Sequence, residues 1–75
     1  MLPKIERERL LRVIYNEAHG GMTAEDEQEM RRIVGLEFPE KAQSNRLDLV
    51  FNLAHGMLAV PYFAKALGLD VDVEA

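Results

Sequence analysis

The stretch that decides the fold is "LVFNLAHGMLAVPYFAKALGL", residues 49–69, the least polar window of the chain. Its length would suit a membrane span, but it contains Asn52, His55, Pro61 and Lys65, which are costly in a bilayer. A helix with apolar residues around most of its circumference is usually the central one of a bundle. The stretch therefore predicts a buried core segment and no membrane association.

The residues before it predict two amphipathic helices. The first runs from about Lys4 to His19, and the glycine pair that follows should end it. Thr23 is a good N-cap for the second, which has acidic residues in its first turn and should end at Gly35, with Pro39 marking the boundary. On a helical wheel, one side of the first helix collects its apolar residues: Leu10, Leu11, Ile14, Tyr15 and Ala18.

The core segment itself predicts a third helix from about Glu40 to His55, with Ser44 as an alternative start. Gly56 should end this helix, and Pro61 suits the first turn of a short fourth one, closed by Gly68. The sequence thus predicts an all-α fold, a small bundle of three to four helices in a single domain of residues 1–75. The acidic residues 70–75 are expected to form a frayed tail.

An internal echo favours a particular version of this bundle. "YNEAHGGM" (residues 15–22) and "FNLAHGML" (residues 51–58) both read aromatic-Asn-x-Ala-His-Gly. Glycine stops helices, and histidine beside it suits the negative helix end. We interpret the echo as one helix ending used twice, in two related helical hairpins; chance resemblance between two amphipathic helices is the alternative.

Composition and the supply of reactive side chains argue against catalysis. The chain has no cysteine, and Ser44 and Thr23, its only hydroxyl residues apart from tyrosine, stand where helix caps are expected. It has no phosphate-binding glycine motif, and 75 residues offer little room to enclose a substrate. We expect a protein that is not an enzyme and needs no cofactor. The charged N-terminus lacks the apolar run of a signal peptide, so we expect a cytoplasmic location.

Two minor interpretations are a metal site and a nucleic-acid-binding surface. His19, His55 and Asp48 could ligate a divalent ion if their helix faces met, but the tight spacing of helical metal motifs is absent, so no metal is expected. The alternative function is a helix-turn-helix-like regulator, with a helix that begins near Lys41. Its reading residues would be Lys41, Gln43, Asn45 and Arg46. The net charge of −4 weighs against it.

The leading interpretation is a small protein-interaction module. So much apolar sequence in a short chain suggests that a second subunit covers part of it, and we expect a homodimer through the third and fourth helices. Such a module would act as an adaptor, inhibitor or regulatory protein, by stoichiometric binding to a protein partner. The expected contact residues are Met57, Leu58, Tyr62 and Phe63 on one surface and Glu25, Asp26, Glu27 and Glu29 on another.

Overall fold

The computed structural model describes residues 2–66 and Gly68, with the side chains of residues 2–60. Over these residues the chain forms three α-helices and a short 3-10 helix, without a strand: α1 (Lys4–Gly20), α2 (Ala24–Val34), the 3-10 helix (Lys41–Gln43) and α3 (Leu47–Ala66). The predicted all-α fold and small helical bundle are therefore confirmed. The acidic tail predicted for residues 70–75 lies outside the described residues.

All three α-helices contribute to one apolar core, and α2 packs against both of the others. A cleft lined by Glu17, Met22 and Phe51 shows that the end of α1 lies beside the start of α3. The buried hydrophobic residues are Leu2, Leu10, Val13, Met30, Ile33, Val34, Ala42, Val50, Ala54 and Met57. Burial of these side chains supplies the main driving force for folding in a chain of this size.

The buried face of α1 is rotated relative to its apolar stripe. Leu10 is fully buried, whereas Leu11 and Tyr15 of the same predicted stripe are 58% and 60% exposed. Glu6 and Arg7 are buried in their place. The apolar side that the helical wheel defines is therefore only partly buried.

Glu6 forms an ion pair with α2 on this buried face. Its Oε2 is buried and lies 2.8 Å from Nη2 of Arg32 on α2, an ion pair in which the oxygen stands off the line of the N–H bonds. Its Oε1 lies 3.5 Å from Nη1 of Arg9. A buried carboxylate needs nearby cations to offset its desolvation, and here one of them comes from the neighbouring helix.

Glycine ends α1, as predicted. Gly20 is the last helical residue, and the N–H of Gly21 donates to the carbonyl oxygen of Asn16. Gly21 adopts φ 101° and ψ 156°, a conformation that is open almost only to glycine.

Replacing Gly21 with alanine is expected to lower the free energy of unfolding by about 1–3 kcal/mol, because the Cβ makes this backbone conformation strained. Urea denaturation followed by helical circular dichroism measures the change. Gly20→Ala is the matched control, since Gly20 is helical and a Cβ there would meet nothing within 4 Å. It should raise stability by about 0.5–1 kcal/mol. Equal effects at both positions would contradict the conclusion that the backbone conformation of Gly21 requires glycine.

The start of α2 forms a capping box around Thr23. The backbone N–H of Asp26 donates to Oγ1 of Thr23 over 3.1 Å, and the N–H of Thr23 donates to Oδ2 of Asp26 over 3.2 Å. Two backbone donors that a helix start leaves unpaired are thereby satisfied. The helix ends at Val34, followed by Gly35. Both predicted ends of α2 are confirmed.

The predicted break at Gly56 is wrong, and so are the fourth helix and the second hairpin. Helix α3 continues through Gly56 and Pro61 to Ala66. Glycine in a helix interior costs about 1 kcal/mol relative to alanine, which disfavours a helix without forbidding it. Val50, Ala54 and Met57 pack in the core on both sides of Gly56 and hold the helix together across it. The echo therefore ends a helix only at its first copy.

The connection between α2 and α3 also differs from the prediction. An α-helix beginning near Lys41 or at Ser44 is absent, because a 3-10 turn occupies Lys41–Gln43 and α3 begins at Leu47. Oγ of Ser44 instead accepts the backbone N–H of Arg46 over 3.1 Å, which is a local turn. In the part of the chain that the structure describes, no helix is long and apolar enough to cross a membrane.

Candidate interaction surface

The solvent-facing side of α3 is unusual in carrying no charge over several turns. Residues 49–60 contain no Asp, Glu, Lys or Arg. Five of them, Leu49, Asn52, Leu53, Gly56 and Val60, follow helical spacing and form what we call the α3 stripe. Leu49 is 37% exposed and Val60 is 63% exposed, the largest value among the exposed large hydrophobic residues of the described chain. Surface helices of soluble proteins normally place charged residues on such a side.

An apolar groove runs beside the α3 stripe. Its volume is about 450 Å³, and it is lined by Phe38, Asn52, Leu53, Gly56, Met57 and Val60, with the exposed Glu37. Phe38 comes from the connection that follows α2, so the groove forms only when that connection folds against α3. Concave, mostly apolar surfaces of this kind are typical of binding sites.

Arg31 holds this connection in place. Its Nη1 donates to the carbonyl oxygens of Ala42 and Ser44 over 2.8 and 2.7 Å, and its Nε donates to Oε2 of Glu27 over 3.2 Å. The guanidinium thus binds two backbone acceptors on either side of the end of the 3-10 helix. Phe38 lies between Arg31 and these acceptors in the chain, so the same contacts restrain one wall of the groove.

Gly56 leaves a depression at the centre of the stripe. A Cβ built at this position would meet nothing within 4 Å, so packing among the described residues does not require glycine here. On the same side of α3, Val60 projects one turn later. The stripe therefore combines a depression and an apolar projection within about 6 Å along the helix axis.

The residues that the sequence predicts at an interface differ in their burial. Met57 is 8% exposed and belongs to the core, and Leu58 is partly buried against it. The side chains of Tyr62 and Phe63 lie outside the described residues. Sequence reasoning missed Gly56, Val60 and Phe38 as surface features. The charge-free stretch of residues 49–60 is the signal that could have identified the first two.

Three of the four acidic residues at the start of α2 are engaged within the chain. Asp26 closes the capping box and accepts Nδ2 of Asn16 over 3.5 Å. Glu27 binds Arg31, and Glu29 binds Nη2 of Arg32 over 2.7 Å, a hydrogen bond that lowers the pKa of Glu29 below its usual value. Glu25 is exposed.

The residues of the nucleic-acid interpretation do not begin an α-helix. Lys41 and Gln43 lie in the 3-10 turn, and Asn45 and Arg46 precede α3. Nζ of Lys41 lies 5.9 Å above the ring of Phe38, within the range of a cation–π contact. Nη2 of Arg46 lies 2.9 Å from Oδ2 of Asp48, and this pair lowers the pKa of the carboxylate. The placement of a reading helix at these residues is therefore wrong.

Each histidine contacts the aromatic residue four positions earlier on its own helix. The ring of His19 stacks on Tyr15 at 4.0 Å, and its Nδ1 lies 2.9 Å from the carbonyl oxygen of Tyr15. His55 meets the edge of Phe51 at 4.6 Å. Among the described residues, no group of three or more His, Asp or Glu is placed to hold a metal ion. Asp48, the third ligand of that interpretation, pairs with Arg46 instead.

Comparison with protein-family models, with curated proteins and with solved structures finds no match to this chain. The class of protein that the fold defines is accordingly a small helical bundle with an uncharged, grooved face on its third helix.

Proposed function

We propose that this protein is a small non-catalytic interaction module, which acts as a homodimer in the cytoplasm by stoichiometric binding to another protein. It would serve as an adaptor, an inhibitor or a regulatory protein. The observation that carries the proposal is the α3 stripe, an uncharged helix face that borders an apolar groove and includes the 63% exposed Val60.

The physical support comes from what such a face costs when it is left in water. Apolar surface contributes about 25 cal/mol for each Å² removed from water, and cores of protein interfaces are depleted of charged residues. The α3 stripe exposes apolar side chains to water, and it contains no charged residue. By contrast, most acids at the start of α2 already have partners within the chain, so Glu25 is the residue of that surface most available to a basic partner.

The test is affinity capture with the tagged full chain from its native host, followed by quantitative mass spectrometry. The wild type should retain one protein in stoichiometric amount, and Val60→Glu should lose it, because a charge in the desolvated contact at the α3 stripe would break the homodimer that binds this protein. Leu11→Glu is the matched control, since Leu11 is 58% exposed on α1, away from the stripe. Circular dichroism checks that both variants fold.

Two results would refute the proposal. The first is that the wild type retains no protein other than itself in stoichiometric amount. The second is that Val60→Glu and Leu11→Glu affect capture equally, which would mean that the α3 stripe has no particular role.

A further inference from the structure

We infer that the α3 stripe is covered by the α3 helix of a second copy, packed antiparallel about a two-fold axis at Gly56. This inference rests on the proposed function and deepens it, because it names the surface, the occupant and the orientation of the homodimer.

Gly56 is the first observation behind the inference. Glycine disfavours a helix relative to alanine, yet here it lies inside a 20-residue helix with open space around it. No contact within the described chain calls for the missing Cβ. A second helix whose backbone approaches closely would require glycine at this position, since glycine permits the shortest distance between two helices.

The second observation is that projection and depression lie on the same helix. A two-fold axis through residue 56 places residue 52 of one copy opposite residue 60 of the other. The exposed Val60 then meets the partner's Asn52 and enters the groove beside the partner's Leu53, and the reciprocal contact forms at the same time. Each copy supplies one projection and one groove, so the surface is complementary to itself.

The third observation is the absence of charge. In a two-fold interface, residues near the axis face their own copies, so any charge there would oppose a like charge. The stripe has none from residue 49 to residue 60. An antiparallel pair also opposes the two helix dipoles, whereas a parallel pair would align them and place Val60 against the partner's Val60.

Analytical ultracentrifugation over a wide concentration range, on the full chain, tests the inference. The wild type should reach the dimer mass. Gly56→Ala should raise the dimer dissociation constant at least about tenfold through overpacking at the axis, while the monomer becomes more resistant to heat. Gly20→Ala is the control, because Gly20 is also helical and a Cβ built there would contact no other part of the described chain within 4 Å. It should leave the dissociation constant unchanged.

Cysteine crosslinking tests the orientation, since the chain has no cysteine of its own. Gly56→Cys lies at the axis and should form a disulfide between copies under mild oxidation. Two Val60→Cys residues would stand about 12 Å apart along an antiparallel pair, too far for a disulfide. Val60→Cys mixed with Asn52→Cys should crosslink instead.

Several outcomes would overturn the inference. They are a wild type that stays monomeric at every concentration, a Gly56→Ala dimer as tight as the wild type, and a Val60→Cys homodimer that crosslinks as readily as Gly56→Cys. A monomer that captures a different protein through Val60 would refute the second copy as occupant and the homodimer, and would leave only the stoichiometric binding to another protein standing. An intact dimer that captures no other protein would refute the proposed function alone.

Discussion

Leu10→Ala is expected to lower the free energy of unfolding by about 2–5 kcal/mol, the usual range for truncating a buried leucine. Leu10 is 0% exposed and belongs to the same core cluster as Met30 and Ile33 of α2. A domain of 75 residues has roughly 4–11 kcal/mol of stability in total, so this single change removes a large part of it. Urea denaturation followed by circular dichroism gives the value.

The neighbouring Leu11 is the control for this prediction. The same substitution at Leu11, which is 58% exposed, should change stability by no more than about 0.5 kcal/mol. The two leucines are adjacent and share a helix, so the change in helix propensity and the side-chain atoms removed are the same in both variants. Equal losses would mean that the rotation of α1 described above is wrong, because a wheel of apolar residues alone places both leucines on the buried side.

The ends of α1 and α2 could be predicted from the sequence because their chemistry is local. Thr23 and Asp26 are three residues apart and satisfy each other's backbone N–H groups. Gly21 ends α1 through its own backbone conformation. Neither feature depends on what the rest of the chain does.

The rotation of α1 could not be predicted in this way. It brings Glu6 beside Arg32, residues that are distant in sequence and meet only after α1 and α2 have packed. A helical wheel counts Glu6 as polar and places it in solvent. Pairing across two helices is a tertiary effect, which the amphipathic pattern of one helix does not contain.

The continuity of α3 was missed for a related reason. Gly56 is a local stop signal, whereas the packing of Ala54 and Met57 that overrides it is tertiary. The candidate site likewise combines a feature that is local in the sequence with one that depends on the tertiary structure. The charge-free stretch from residue 49 to residue 60 can be seen in the sequence, but the groove needs Phe38, which reaches α3 only through the folded connection.

Arg31→Met is expected to lower the free energy of unfolding by about 2–4 kcal/mol. A positive charge in the last turn of a helix is worth at most about 1 kcal/mol at an exposed site through the helix dipole. The structure assigns Arg31 a larger role, because its guanidinium donates to the carbonyl oxygens of Ala42 and Ser44. Hydrogen bonds to charged groups contribute about 1.5–3 kcal/mol each, and methionine preserves most of the side-chain volume.

Arg31→Lys should recover only part of this loss, since an ammonium group lacks the planar fork that reaches both carbonyls and Glu27 together. Arg46→Met is the control for removing a positive charge. Arg46 pairs with Asp48 where the two side chains are 73% and 66% exposed, so solvent screens the pair and its loss should leave stability almost unchanged. If Arg31→Met and Arg46→Met were equally mild, the contacts of Arg31 would be incidental. The connection that carries Phe38 into the groove would then be held by the burial of Ala42 and by the packing of Phe38 against the core.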